Sequence, residues 1–114
     1  MKIFECGEVK EAYAWAQAGG QALHLHQIVF PESPRCFRDA VGRGEDIAHL
    51  FDQDEARLRK TAKDLGVRVI YVHHRGTPRQ HIDLCGKPLT MAKAIATTLE
   101  GLRYQDATKS ELMN

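Results

Sequence analysis

Apolar positions change their spacing repeatedly along the chain, and each change marks an element. Residues 2–6 (KIFEC) have the make-up of a short first strand. From Glu8 to Ala18 the apolar positions Val9, Ala12, Tyr13 and Ala16 fall on one helical stripe, and the Gly19-Gly20 pair stops that helix. Ala22 to Phe30 (ALHLHQIVF) alternates, with Leu23 and Leu25 on one face and His24, His26, Ile28 and Phe30 on the other, which predicts a second strand. Pro31 to Glu45 carries prolines, glycines and arginines with weak periodicity, and reads as a long excursion with a short helical turn around 37–41.

Asp52 followed by Glu55 approximates a capping box, Leu58, Ala62 and Leu65 give the inward stripe, and Gly66 closes the helix. VRVIYV, residues 67–72, is rich in β-branched residues and suits a central strand covered on both faces. Pro88 then opens a last helix whose buried side is Leu89, Ala92, Ile95, Leu99 and Leu102, before a polar, frayed tail over 103–114. The predicted order is β-α-β-loop-α-β-loop-α. It describes a single α/β domain over 1–114, with a small, mainly parallel sheet covered by helices.

Composition narrows the function classes. Sixteen Lys plus Arg against fifteen Asp plus Glu leave a net charge of +1, so global electrostatics draw the chain neither to nucleic acid nor to an anionic membrane. No apolar run approaches the roughly 20 residues of a membrane span, and no signal-peptide pattern opens the chain, so the expected location is cytoplasmic. Cys6, Cys36 and Cys85 are far apart and form no C-x-x-C pair, which suggests reduced thiols rather than a zinc knuckle.

The candidate chemistry gathers downstream of the apolar run. His73, His74 and Arg75 are followed by a Gly76-Thr77-Pro78 turn, then Arg79, His81 and Asp83. In extended backbone, His81-x-Asp83 points both side chains to one side, where a carboxylate would fix the imidazole tautomer and raise its basicity. That suits His81 as a general base or a metal ligand, with Asp83 as its orienting partner. Arg75 and Arg79 offer planar guanidinium donors for phosphate or carboxylate oxygens. His49 and Lys87 stand at expected helix starts, where backbone N–H groups also favour an anion. A solvated loop with Asp83 capping a turn is the plainer alternative.

His24-x-His26 places two imidazoles on one strand face roughly 7 Å apart, a span one metal ion can bridge, although partly buried histidines bonded to backbone explain the pair equally. A histidine of the 67–87 segment would supply a third ligand. Arg35, Arg38 and Arg43 with Phe37 sketch a weak nucleic-acid patch on the excursion. Cys85 beside His81 is either a thiolate nucleophile or a buried inert thiol.

The order His49-Leu50, a helix ending in Asp64-Leu65-Gly66, a strand, then His81-x-Asp83-Leu84 and an alanine-rich helix resembles the small bacterial and phage proteins grouped as the domain of unknown function DUF4031. The resemblance spans about residues 46–97 and implies no particular activity, since that family has none assigned. It singles out His49, His81 and Asp83 as its polar positions.

Together these features predict a pocket of His49, His74, Arg75, Arg79, His81, Asp83 and Lys87 that binds a phosphate-bearing small molecule or a nucleic-acid-like ligand, with hydrolysis as its chemistry. The contrasting expectation is a non-catalytic interaction or inhibitory factor of phage or mobile-element origin, docking through Phe37 and Tyr71. A homodimer covering a sheet edge is a further expectation. The sequence names no particular metal, cofactor or substrate.

Overall fold

A computed structural model describes residues 1–26 and 47–98. The excursion with Arg35, Cys36, Phe37, Arg38 and Arg43, and the tail from residue 99, lie outside the described residues. The described elements run β1 (Lys2–Phe4), α1 (Val9–Gln17), β2 (Ala22–His26), β3 (Ile47–Phe51), α2 (Glu55–Asp64) and β4 (His81–Cys85), then α3 over residues 86–98.

The first three elements follow the sequence pattern closely. Ala12 and Ala16 bury the stripe of α1, and Gly19 takes φ +102° as the helix closes. That βαβ unit returns β2 parallel to β1. In α2, Leu58, Ala62 and Leu65 are all buried, and Gly66 at φ +87° ends it. Its N-cap is Asp54, whose carboxylate accepts from the Arg57 backbone N–H at 3.1 Å.

Asp52, expected to open a capping box, is instead a fully buried anchor. It accepts from Arg57 Nε at 2.8 Å, Arg57 Nη2 at 2.7 Å and Gln21 Nε2 at 2.9 Å, which compensates the loss of its hydration. Ile95 is 39% exposed, and the inward side of α3 runs through Leu89, Ala92 and Ala96.

The sheet is mixed rather than mainly parallel. Its order is β1-β2-β3-β4, with β1 and β2 parallel and both remaining pairs antiparallel. Two misplaced strands account for the difference. His49, expected at a helix start, sits in the middle of β3, and His81–Cys85, expected in a loop, is β4. Residues 67–72 form no strand: Val69 is 84% exposed and Tyr71 68% exposed. This run leads toward β4 but pairs with it only through a His73–His81 bridge.

Alternation along the strands gives the two sheet faces different work. Leu23, Ala48, Leu50, Ile82 and Leu84 pack on one face against Leu58 and Ala62 of α2 and Leu89 and Ala92 of α3. Each fully buried leucine there contributes about 1.5–3 kcal/mol. The other face carries α1 at one end, with Phe4, Ala12, Ala16, Ala22 and Phe51 packed together. Across its centre runs a cross-strand row, Phe4–His24–His49–Asp83, and beside it the row Lys2–Ala22–Phe51–His81. No helix among the described residues is long and apolar enough to cross a membrane.

Candidate functional site

Register assembles the site. His49 of β3 and Asp83 of β4 are directly paired, so their side chains emerge from the same face of the sheet. His81 lies two residues from Asp83 on β4 and shares that face. The hairpin turn over 74–80 then brings in His73. It is held by Thr77 N–H and Thr77 Oγ1 on the His74 carbonyl at 3.0 and 2.7 Å, and by Gly76 N–H on Gln80 Oε1 at 2.8 Å. Buried Gln80 also donates Nε2 to the Asp52 carbonyl at 2.8 Å, fastening the turn to the end of β3.

The outcome is one carboxylate ringed by imidazoles. His49 Nδ1 is 2.6 Å from Asp83 Oδ1, His73 Nε2 is 2.9 Å from Oδ2, and His81 Nε2 is 3.4 Å from Oδ1. His81 Nδ1 donates to the Arg79 carbonyl at 2.7 Å. The rings pack closely: His49 meets His81 edge-on at 4.6 Å, and His73 stacks on His81 at 5.1 Å. Phe51 closes the apolar side 5.1 Å from His81, itself backed by Tyr13 at 4.9 Å.

Electrostatics follow from this crowding. Burial works to raise the Asp83 carboxyl pKa, but the hydrogen bond from His49, the close approach of His81 and the charges of His49 and His73 outweigh it. The group is held far below the ordinary carboxyl range. Burial pushes the His73 pKa down against the attraction of Asp83, and the neighbouring imidazoles His81, His49 and His74 add to the depression. His73 therefore favours its neutral form.

The structure brings together His49, His81 and Asp83 and leaves the other expected residues around them. His74 takes φ +51° and is exposed at the rim, its ring 5.8 Å from His81. Arg75 turns away to pair with Glu55 at the start of α2, so its guanidinium serves the fold. Arg79 lies over the Tyr13 ring at 5.7 Å. His73, whose Nε2 lies 2.9 Å from Asp83 Oδ2, has to be added to the expected set.

Beside β4 lies a cleft of about 780 Å³. Val67, Val69, Tyr71 and Pro88 form its apolar wall, Arg68 and Lys87 bring cations to it, and His73 and Asp83 line it where it meets the cluster. His24 stands one strand away from His49, with Nε2 donating to the Cys6 carbonyl at 3.0 Å. It is not in the ligand-spaced trio His49–His81–Asp83, and the side chain of His26 lies outside the described ones. Cys85 is buried and disulfide-bonded, which corrects the expectation of a reduced thiol and removes it as a nucleophile. Compared with known proteins, the chain matches no family model, and neither a curated protein nor a solved structure matches it.

Proposed function

We propose that the protein binds a phosphate-bearing, nucleotide-like ligand in the cleft beside β4 and hydrolyses it, with His73 as general base and Asp83 orienting it. The observation that carries this reading is that His73 and Asp83 are both members of the imidazole–carboxylate cluster and lining residues of the cleft. His73 Nε2 lies against Asp83 Oδ2 at 2.9 Å, and with that nitrogen turned to the carboxylate, Nδ1 is the basic nitrogen assigned to the ligand, on a ring that burial keeps neutral. His81 does not fill the base role expected from sequence, because each of its nitrogens faces an acceptor oxygen. Arg68 and Lys87 suit the anionic end of such a ligand, and Tyr71 with the neighbouring valines suits a planar base or aryl group.

The test is titration with nucleoside monophosphates, short oligonucleotides and an aryl phosphate, followed through the NMR signals of Tyr71 and His73. Lys87→Glu should weaken binding by about tenfold, equivalent to about 1.4 kcal/mol of lost charge interaction. His73→Ala should remove turnover while binding survives. Unmoved Tyr71 and His73 signals at millimolar ligand would end this reading. The exposed Val69 and Tyr71 favour a second one, a protein-docking edge, for which Tyr71→Ser should abolish co-purification of a partner from the native host.

A further inference from the structure

Two imidazoles converge on one carboxylate oxygen. A carbonyl oxygen only accepts, so the 2.7 Å contact with Arg79 requires a proton on His81 Nδ1. His81 therefore turns its other nitrogen, Nε2, toward Asp83 Oδ1 at 3.4 Å, and His49 Nδ1 reaches the same oxygen at 2.6 Å. The meeting point is largely shielded, with His81 9% exposed and the Asp83 side chain 15% exposed. Imidazole nitrogens and a carboxylate gathered in such a place are the donor set of a transition-metal site.

We propose that His49 Nδ1, His81 Nε2 and an Asp83 carboxylate oxygen hold one divalent first-row transition-metal ion of the zinc class. The three donor atoms lie within 4.8 Å of one another. Ligand bonds of about 2.0–2.2 Å place neighbouring donors about 3–3.5 Å apart, so the 2.6 Å His49–Asp83 contact opens slightly and the 3.4 Å contact already fits. Two imidazoles with one carboxylate select this class over magnesium or calcium, which take mainly oxygen. Three protein donors also leave a position open on a four-coordinate ion.

The outer contacts match the donor set. The Arg79 carbonyl fixes the His81 tautomer that presents Nε2, and His73 holds the second oxygen of Asp83. Asp83 enters ionised, His81 enters as it stands, and His49 gives up its Nδ1 proton, by moving it to Nε2 or releasing it to solvent. Phe51 and Tyr13 shield the apolar side. The site goes beyond the hydrolytic reading and does not depend on it, since metal binding is measured without any phosphate ester.

Untagged protein freed of metal with a chelator is titrated with Zn²⁺ by calorimetry and with Co²⁺ by absorption. Saturable binding of one equivalent is expected. His49→Ala and Asp83→Asn should each lower affinity by about a thousandfold, whereas His73→Ala, outside the donor set, should cost about tenfold. Long-range proton–nitrogen spectra of the zinc-loaded wild type should show coordination shifts at His49 Nδ1 and His81 Nε2, a readout that needs no variant to fold. Folded wild type that takes up no saturating metal overturns the proposal. So do coordination shifts confined to His24 or His73, or a His73→Ala loss as large as that of His49→Ala.

Discussion

Replacing Asp83 by Asn changes one oxygen to an NH₂ group and removes the charge at the centre of the imidazole ring, so its effect can be worked out bond by bond. The carboxylate accepts from His49 at 2.6 Å and is paired with His73 across 2.9 Å. The amide oxygen keeps the His49 bond as a neutral contact, which loses about 1 kcal/mol of charge assistance. Its NH₂ group takes the place of the oxygen beside His73, which forfeits that charge contact and costs about another 1–2 kcal/mol. The metal-free variant should therefore be less stable by about 2–3 kcal/mol at pH 7, a fall in urea midpoint of about 1–2 M.

The pH dependence has a definite sign. The folded-state pKa of Asp83 is depressed from its ordinary value of 3.8, so its stabilisation is present above that value and is lost as pH falls below it. The gap between wild type and variant should not narrow between pH 7 and about 4, because the variant also lacks the attraction of Asp83 for a charged His73, and it should close in stronger acid. His73, also depressed, destabilises both proteins on acidification below its ordinary value of 6.5, and less so in the wild type, where Asp83 attracts the charged ring. Urea titrations in chelator across this range provide the assay. A gap under about 0.5 kcal/mol at neutral pH, or one that persists undiminished in strong acid, would refute the reasoning.

Two other substitutions probe the frame that holds the site. Asp52→Ala strips the buried partner from Arg57 and Gln21; because Arg57 can turn toward water, the loss should sit near the lower end for a broken buried pair, about 3 kcal/mol, and calorimetry should show Tm falling by more than about 10 °C. Gly20→Ala would place its Cβ 2.3 Å from Trp15 Nε1, and relieving that clash should cost about 1–3 kcal/mol and shift the emission of the sole tryptophan.

The helices were legible because their signals are local. The stripes in α1 and α2 and the glycines that end them act within a few turns of the chain, and neither depends on what lies opposite. β4 was not legible as a strand, although HIDLC alternates at period two, because a His and an Asp in a strand look costly until His49 and His73 are seen beside the carboxylate and the Arg79 carbonyl beside the imidazole. The opposite error concerns 67–72, where β-branched residues promised a central strand but pairing beyond His73 never forms. Spacing and chemistry found His49, His81 and Asp83. Choosing His73 over His74 needed the backbone, since the left-handed conformation at His74 turns the chain away just after His73 has been delivered to the carboxylate.

The pairing of His49 with Asp83 also bears on how the chain avoids mistakes during assembly. Sliding β4 past β3 by a single residue would rotate the carboxylate to the opposite side, among Leu23, Leu50 and Leu58, and bring Ile82 or Leu84 out beside the imidazoles. An ionised group stranded among leucines is far more costly than any ladder such a shift could rescue. The same few polar atoms that offer chemistry in the finished protein thus act earlier as a proofreading mark. Chains in which they are neutralised should reach wrong registers more often, even where the correct one still forms.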